Sequence, residues 1–154
     1  MALVLSRQDI KSLPTLSISR IDEAMQAVKG AYTVVDAAKP EVVLIASGSE
    51  VSTLVEGAEL LAKEGVAVRV VSAPSEGLFR DQPRSYQDSV LPATAVRYGM
   101  TSGLPVTLLG LVGSMENIHG LDHFGFSAPY KVLDKEFGYN GETVYNEVKK
   151  LLAK

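Results

Sequence analysis

"EVVLIASGSEVSTLVEGAELLAKEGVAVRVVS", residues Glu41 to Ser72, carries three patterns in succession. Its first six residues, Glu41–Ala46, are almost continuously apolar, as a strand buried on both faces of a parallel sheet must be. "SGS" breaks that run. Val51, Leu54, Val55, Ala58, Leu61 and Ala62 then recur at i, i+3, i+4 and i+7, which is one face of a helix. Ser49 or Ser47 is placed to cap this helix, Glu50 suits its positive end and Lys63 its negative end, and Gly65 stops it. Val66–Ser72, "VAVRVVS", reads as a second strand. Strand, helix and strand in this order predict a parallel pair joined by a right-handed crossover.

The flanks extend the same alternation. Ile18, Ile21, Met25 and Val28 predict a helix over Ser17–Lys29 that Gly30 ends, and Tyr32–Val35 is a short β-branched strand before the "AAKP" turn. Beyond Ser72, "APSEG" leads into short helical pieces near Leu78–Gln82 and Ser85–Val90. Thr94–Tyr98 and Asn117–Leu121 read as strands, while Pro105–Leu111 fits neither period. Ser127 is placed to cap a helix reaching about Phe137, and Glu142–Leu152 forms a final amphipathic helix. The expected fold is α/β: three layers, with a mostly parallel five-stranded sheet and helices on both faces.

Composition narrows the functions. The 154 residues are 46% hydrophobic and 21% charged, which fits an ordinary soluble domain. A net charge of −3 argues against a nucleic-acid surface, which needs clustered Lys and Arg. With no cysteine there are no disulfides, thiolate catalysis or Cys-based zinc sites. No apolar run approaches the roughly 18 residues of a membrane span. No secretory signal pattern opens the chain, so the expected compartment is the cytoplasm.

Two segments invite a chemical reading. "SGSEV" places Ser47, Gly48 and Ser49 between a buried strand and a helix N-terminus, where backbone N–H groups can hold an anion. It lacks the lysine of a P-loop and the full glycine set of a dinucleotide fingerprint, and for so short a motif a capped tight turn is the better explanation. "HGLDH" sets His119, Asp122 and His123 at a spacing that suits a metal on a helix. Gly120 and the nearby Gly110, Gly113 and Gly125 point instead to strand and loop, so no metal site is expected. There is no G-x-S-x-G elbow, and the carboxylates are scattered, so no catalytic residue is assigned.

Five segments occur in one order: "LSRQ" (Leu5–Gln8), "ASGSEV" (Ala46–Val51), "VRVVSAPSEGLF" (Val68–Phe79), "SVLP" (Ser89–Pro92) and "GLDHFGFSAP" (Gly120–Pro129). Together they resemble the C-terminal domain of transketolase, over nearly the whole chain from Leu3 to Leu152. Deoxyxylulose-phosphate synthases and 2-oxo acid dehydrogenase subunits share that fold but not the pairing of "LSRQ" with "FGFSAP"; dihydroxyacetone synthase is a closer relative. The resemblance implies that residues 1–15 end a preceding pyrimidine-binding domain and its linker, and that residues 16–154 form the C-terminal domain. It implies that Arg7 contacts the phosphate of a sugar substrate. It also implies transfer of a two-carbon ketol unit between phosphorylated sugars in the pentose phosphate pathway, by a homodimeric enzyme using thiamine diphosphate and Mg. The family's Gly-Asp-Gly diphosphate segment and its activating glutamate have no counterpart here. The chain is therefore expected to be a piece or subunit of such an enzyme, inactive and without cofactor on its own, with the remaining domains as partner. One stretch departs from the family: "RYGMTSGLPVTLLGLVG", Arg97–Gly113, has no acid and no Trp where relatives often carry acidic, aromatic and basic residues. The other readings are a stand-alone anion- or nucleotide-binding regulatory module and a structural dimerisation domain.

Overall fold

The computed structural model describes residues 8–16 and 19–154. Arg7 and the Leu3–Leu5 segment lie outside the described residues. Five strands make one sheet in the order β1-β3-β2-β4-β5. They are β1 (Tyr32–Val35), β2 (Val42–Ala46), β3 (Val68–Ser72), β4 (Val96–Met100) and β5 (Ile118–His119). β2 pairs in parallel with β3 and β4, β4 in parallel with β5, and β1 alone runs antiparallel, against β3. All residues of β2 and β3 are buried, which explains why their sequences lack alternation.

Two cores lie on the two faces. Val42, Leu44 and Ala46 point to α2 (Glu50–Lys63) and α7 (Gly141–Leu152), meeting Val51, Leu54, Leu61, Val144 and Val148. Val43 and Ile45 point the other way, to α3 (Glu76–Arg80), α4 (Arg84–Val90) and α5 (Leu109–Val112), where Phe79, Val90, Leu111 and Val112 close the second core. The helices of the first face touch at Gly57 and Gly141. A Cβ on Gly57 would lie 2.5 Å from Val144 Cγ1, and one on Gly141 would lie 2.8 Å from Glu56 Cβ. Asn140 caps α7 by accepting from the Thr143 N–H at 2.9 Å.

A buried cation ties α4 to the sheet. Arg69 of β3 is only 8% exposed, donating from Nε to Asp36 at 2.8 Å and from Nη1 to the Ser89 and Val90 carbonyls at 2.6 and 3.2 Å. The orphan carbonyls that end α4 thus receive donors from a side chain whose charge Asp36 balances.

Several local expectations change. The helix expected over Ser17–Lys29 is α1 (Arg20–Ala24) followed by a 3₁₀ turn, Met25–Lys29. Three of its apolar residues do not pack on this domain: Ile21, Met25 and Val28 are 76%, 62% and 67% exposed. Ser49 starts α2 with helical angles (φ −62°, ψ −34°), so its hydroxyl does not reach the free N–H groups and makes no capping bond. Pro129 rather than Ser127 precedes α6 (Tyr130–Glu136). β4 starts two residues later than expected, β5 is cut to two residues, and the segment of mixed pattern becomes a 3₁₀ turn (Pro105–Leu108) leading into α5.

Candidate functional site at the carboxyl edge of the sheet

From β2 the chain passes through α2 to β3 on one side; from β3 it reaches β4 on the other side of β2. The connections leaving β2 and β4 therefore diverge, and open α/β sheets bind ligands at such switch points. Here the turn Ser47–Ser49 follows β2 and Thr101–Gly103 follows β4. Between them and α6 lies a crevice of about 250 Å³ whose lining includes Ser49, Glu50, Thr53, Ser102, Asp134 and Tyr139.

Gly48 takes a left-handed angle, φ 67°, which lets β2 turn at once into α2. Ser47 and Gly48 are exposed and Ser49 is half-buried. The Ser49 hydroxyl donates to the Glu50 carboxylate at 3.3 Å, and the other Glu50 oxygen lies 3.9 Å from the position of a Cβ on Gly48. The chain's own carboxylate thus folds back onto the turn where an external anion would sit. Among the described residues, the lining of the crevice includes no Lys or Arg. Burial pushes the Asp134 carboxyl up, and burial together with the Glu50 charge pushes the Tyr139 hydroxyl up to about 12. Tyr139 stays protonated and donates to the Thr101 carbonyl at 2.8 Å.

Beside the crevice, His119 of β5 stacks edge-on against Tyr139, with ring centroids 5.1 Å apart. Its Nδ1 lies 3.2 Å from Glu147 Oε1 and its Nε2 lies 2.8 Å from the Phe137 carbonyl. Both partners only accept, so the arrangement is satisfied by the doubly protonated ring. The bond to Glu147 raises the His119 pKa despite burial. Burial pushes Glu147 up, but bonds from His119 and Tyr98 outweigh it and hold the carboxyl below its usual range. Tyr98 donates to Glu147 Oε2 at 2.6 Å, and burial plus that carboxylate push its own pKa far up.

Among the residues singled out from sequence, Ser49 lines the crevice while Ser47 and Gly48 form the exposed turn that leads to it, and Arg7 lies outside the described residues. His119 and His123 are not brought to a common centre: His123 Nδ1 donates to the Phe124 carbonyl at 2.9 Å, and its ring leans on Phe137. Among the described residues, no group of three or more His, Asp or Glu could hold a metal ion. Sequence reasoning missed Glu50 as the group that closes the turn, and the His119–Glu147–Tyr98 network. One signal for the second was present. Glu147 lies three residues after Val144 and four before Leu151, a carboxylate on the apolar stripe of α7.

Fold and crevice define the class: a doubly wound α/β domain with, among its described residues, no metal cluster. Residues 30–140 match the family described as "Transketolase-like TK C-terminal domain", and the chain belongs to that family. The transketolase of Geobacillus stearothermophilus is 41% identical over 157 residues, covering 99% of this chain and 23% of its own length. The structure of transketolase from Leishmania mexicana superposes with a TM-score of 0.75 at 36% identity, over 84% of this chain and 19% of that one. A split-gene transketolase shares the fold at 21% identity, with a TM-score of 0.58 over 80% of this chain and 42% of its own. The chain thus spans about a quarter of the curated relatives it matches.

Proposed function

We propose that this chain serves as the C-terminal domain of a transketolase, which moves a two-carbon ketol unit between phosphorylated sugars, and that it acts only when assembled with the remaining domains. The observation that carries this is the match of 99% of the chain to 23% of a transketolase at 41% identity. In this reading residues 1–15 are the end of the preceding domain, and Arg7 presents its guanidinium fork to the substrate phosphate. The assembled enzyme is a cytoplasmic homodimer of the pentose phosphate pathway. The split-gene relative, described as an inactive beta4 tetramer, is a case in which part of a transketolase exists as a chain of its own.

The residues described here do not fit thiamine diphosphate and its metal. The crevice offers the carboxylates of Glu50 and Asp134 to a diphosphate, with no Lys or Arg among its lining, and no metal-holding group exists among the described residues. In this proposal the cofactor is held by the other domains. An anion at Ser47, Gly48 and Ser49 belongs to the same proposal. It would take the place of the Glu50 carboxylate, so Glu50→Gln should strengthen it.

The test is reconstitution. This chain is combined with a protein carrying the remaining transketolase domains, and ketol transfer is measured with and without it. Activity should require both parts. Arg7→Ala should lose about 1.5–3 kcal/mol for one charge-assisted hydrogen bond. That is roughly a 10- to 150-fold fall in kcat/KM on a phosphorylated acceptor, with much less on its unphosphorylated counterpart. Activity of the isolated chain, or equal losses on both acceptors, would overturn the reading.

A further inference from the structure

At the other end of β4, away from the carboxyl edge, three arginines converge. A cleft of about 330 Å³ between α3, α4 and α5 is lined by Arg80, Arg84 and Arg97 with Gln87, Asp88 and Gly110 among their neighbours. Arg97, the second residue of β4, sits across β2 from Arg69: both are in register with Val43. The two arginines share the task of closing α4, since Arg97 Nη2 donates to the Leu91 carbonyl at 2.9 Å while Arg69 takes Ser89 and Val90. Arg97 Nη1 donates to the Leu111 carbonyl of α5, also at 2.9 Å.

The likeness ends with charge. Arg69 has Asp36; among the described residues, Arg97 has no ion-pair partner. Helix C-termini offset part of its charge, but the dipoles act only as fractional charges. Among the described residues, its Nε–H and one N–H on each terminal nitrogen make no hydrogen bond, leaving three donors on a side chain that lines the cleft. The other two guanidiniums reach the cleft from α3 and α4. Arg80, paired with Glu76, packs on Gly110 so closely that a Cβ there would strike both side chains. Arg84 pairs with Asp88 at 3.0 Å. With Glu76 and Asp88 paired to Arg80 and Arg84, the three cations of the cleft leave a local surplus of one positive charge, that of Arg97, on a chain whose net charge is −3. Burial and the neighbouring Arg84 charge depress the Arg97 pKa, and the Asp88 carboxylate offsets this only in part.

We propose that the Arg80–Arg84–Arg97 cleft binds a phosphate monoester. Guanidinium forks arriving from three elements suit a tetrahedral dianion, whereas one fork is enough for a planar carboxylate. The volume is at the low end of small-molecule sites, about 300–1,000 Å³, and accommodates a short organic group beyond the phosphate. This site is separate from the carboxyl-edge crevice, with which it shares no lining residue.

Titration of the chain with glycerol 3-phosphate at low ionic strength tests it, followed by side-chain Arg Nε–H resonances and calorimetry, with glycerol as the uncharged control and inorganic phosphate as a second probe. Saturable binding of glycerol 3-phosphate with perturbation of the Arg97 and Arg84 resonances is expected, and none with glycerol. Arg84→Gln should weaken the affinity at least about tenfold, the loss of one charge-assisted bond. Arg84 is exposed, so this variant tests the site without disturbing α4 or α5 as Arg97→Gln would. Inorganic phosphate should bind the same resonances more weakly than the ester. Absence of saturation by either probe up to about 10 mM, a range in which a site worth about 3 kcal/mol would show itself, would overturn the proposal. An unchanged affinity in Arg84→Gln would do so equally.

Discussion

Replacing His119 with Gln tests whether the ring carries both protons in the folded chain. A glutamine can donate to Glu147 or to the Phe137 carbonyl, but it brings no charge. The pair lies between two limits, since the His119 side chain is 16% exposed and that of Glu147 is 36% exposed. Breaking a fully buried pair costs about 3–5 kcal/mol and an exposed one about 0.2–1, so about 1.5 kcal/mol is expected here. The pH dependence follows from the directions of the two shifts. His119 is raised above its ordinary 6.5, so its contribution is complete below about that pH and fades as pH climbs through the folded-state value. Glu147 is held below its ordinary 4.5, so its contribution is complete above that pH and is lost as pH falls through the folded-state value. The pair therefore contributes fully between those two ordinary values. Urea unfolding of both proteins at pH 5.5 and pH 9 measures the difference. The loss should be about 1.5 kcal/mol at pH 5.5 and less than half of that at pH 9. Equal losses at the two pH values would mean that His119 contributes shape and a neutral hydrogen bond, and the doubly protonated reading would fail.

Two further substitutions test the scaffold. Gly30→Ala should destabilise by about 2–4 kcal/mol, because φ is +86° and a Cβ would strike the backbone of Ser75, Leu78 and Phe79; a loss under about 1 kcal/mol in urea unfolding would show that the Gly30–Ser75 junction shifts freely. Leu44→Ala, at a fully buried position of the central strand, should lose about 2–5 kcal/mol with an unchanged denaturant slope; a changed slope would indicate that β2 is not the common wall of both cores.

What the sequence made legible was what local pattern encodes. β2, α2 and β3 follow from continuous apolar runs on either side of a helical period, because consecutive elements pack on one another and each carries its apolar pattern in its own sequence. α1 was misjudged for the converse reason. Ile21, Met25 and Val28 have helical spacing, but spacing states that a face is apolar, not which surface receives it. Ser49 and Ser127 looked like caps because capping was inferred from residue type, whereas it depends on the backbone angle of one residue. The site was least legible. His119 and Glu147 are 28 residues apart, and Arg69 meets Ser89 and Val90 across 20 and 21 residues. No periodicity links such pairs, since only the sheet order brings them together. The stretch Arg97–Gly113 departed from the family pattern in having no acid and no Trp, but that Arg97 has no ion-pair partner among the described residues emerged only once its neighbours were in place.

The two borders of the sheet bear on how separate copies of this chain would stick together. β5 offers two residues of open backbone, and β1 shifts register between Thr33 and Val35, so neither border is a long, flat template for a strand from another molecule. What the chain does present is side-chain grease at Ile21, Met25 and Val28. Clumping should accordingly proceed through contacts that loosen on cooling and disperse in mild detergent, giving amorphous, reversible particles in place of cross-β fibrils.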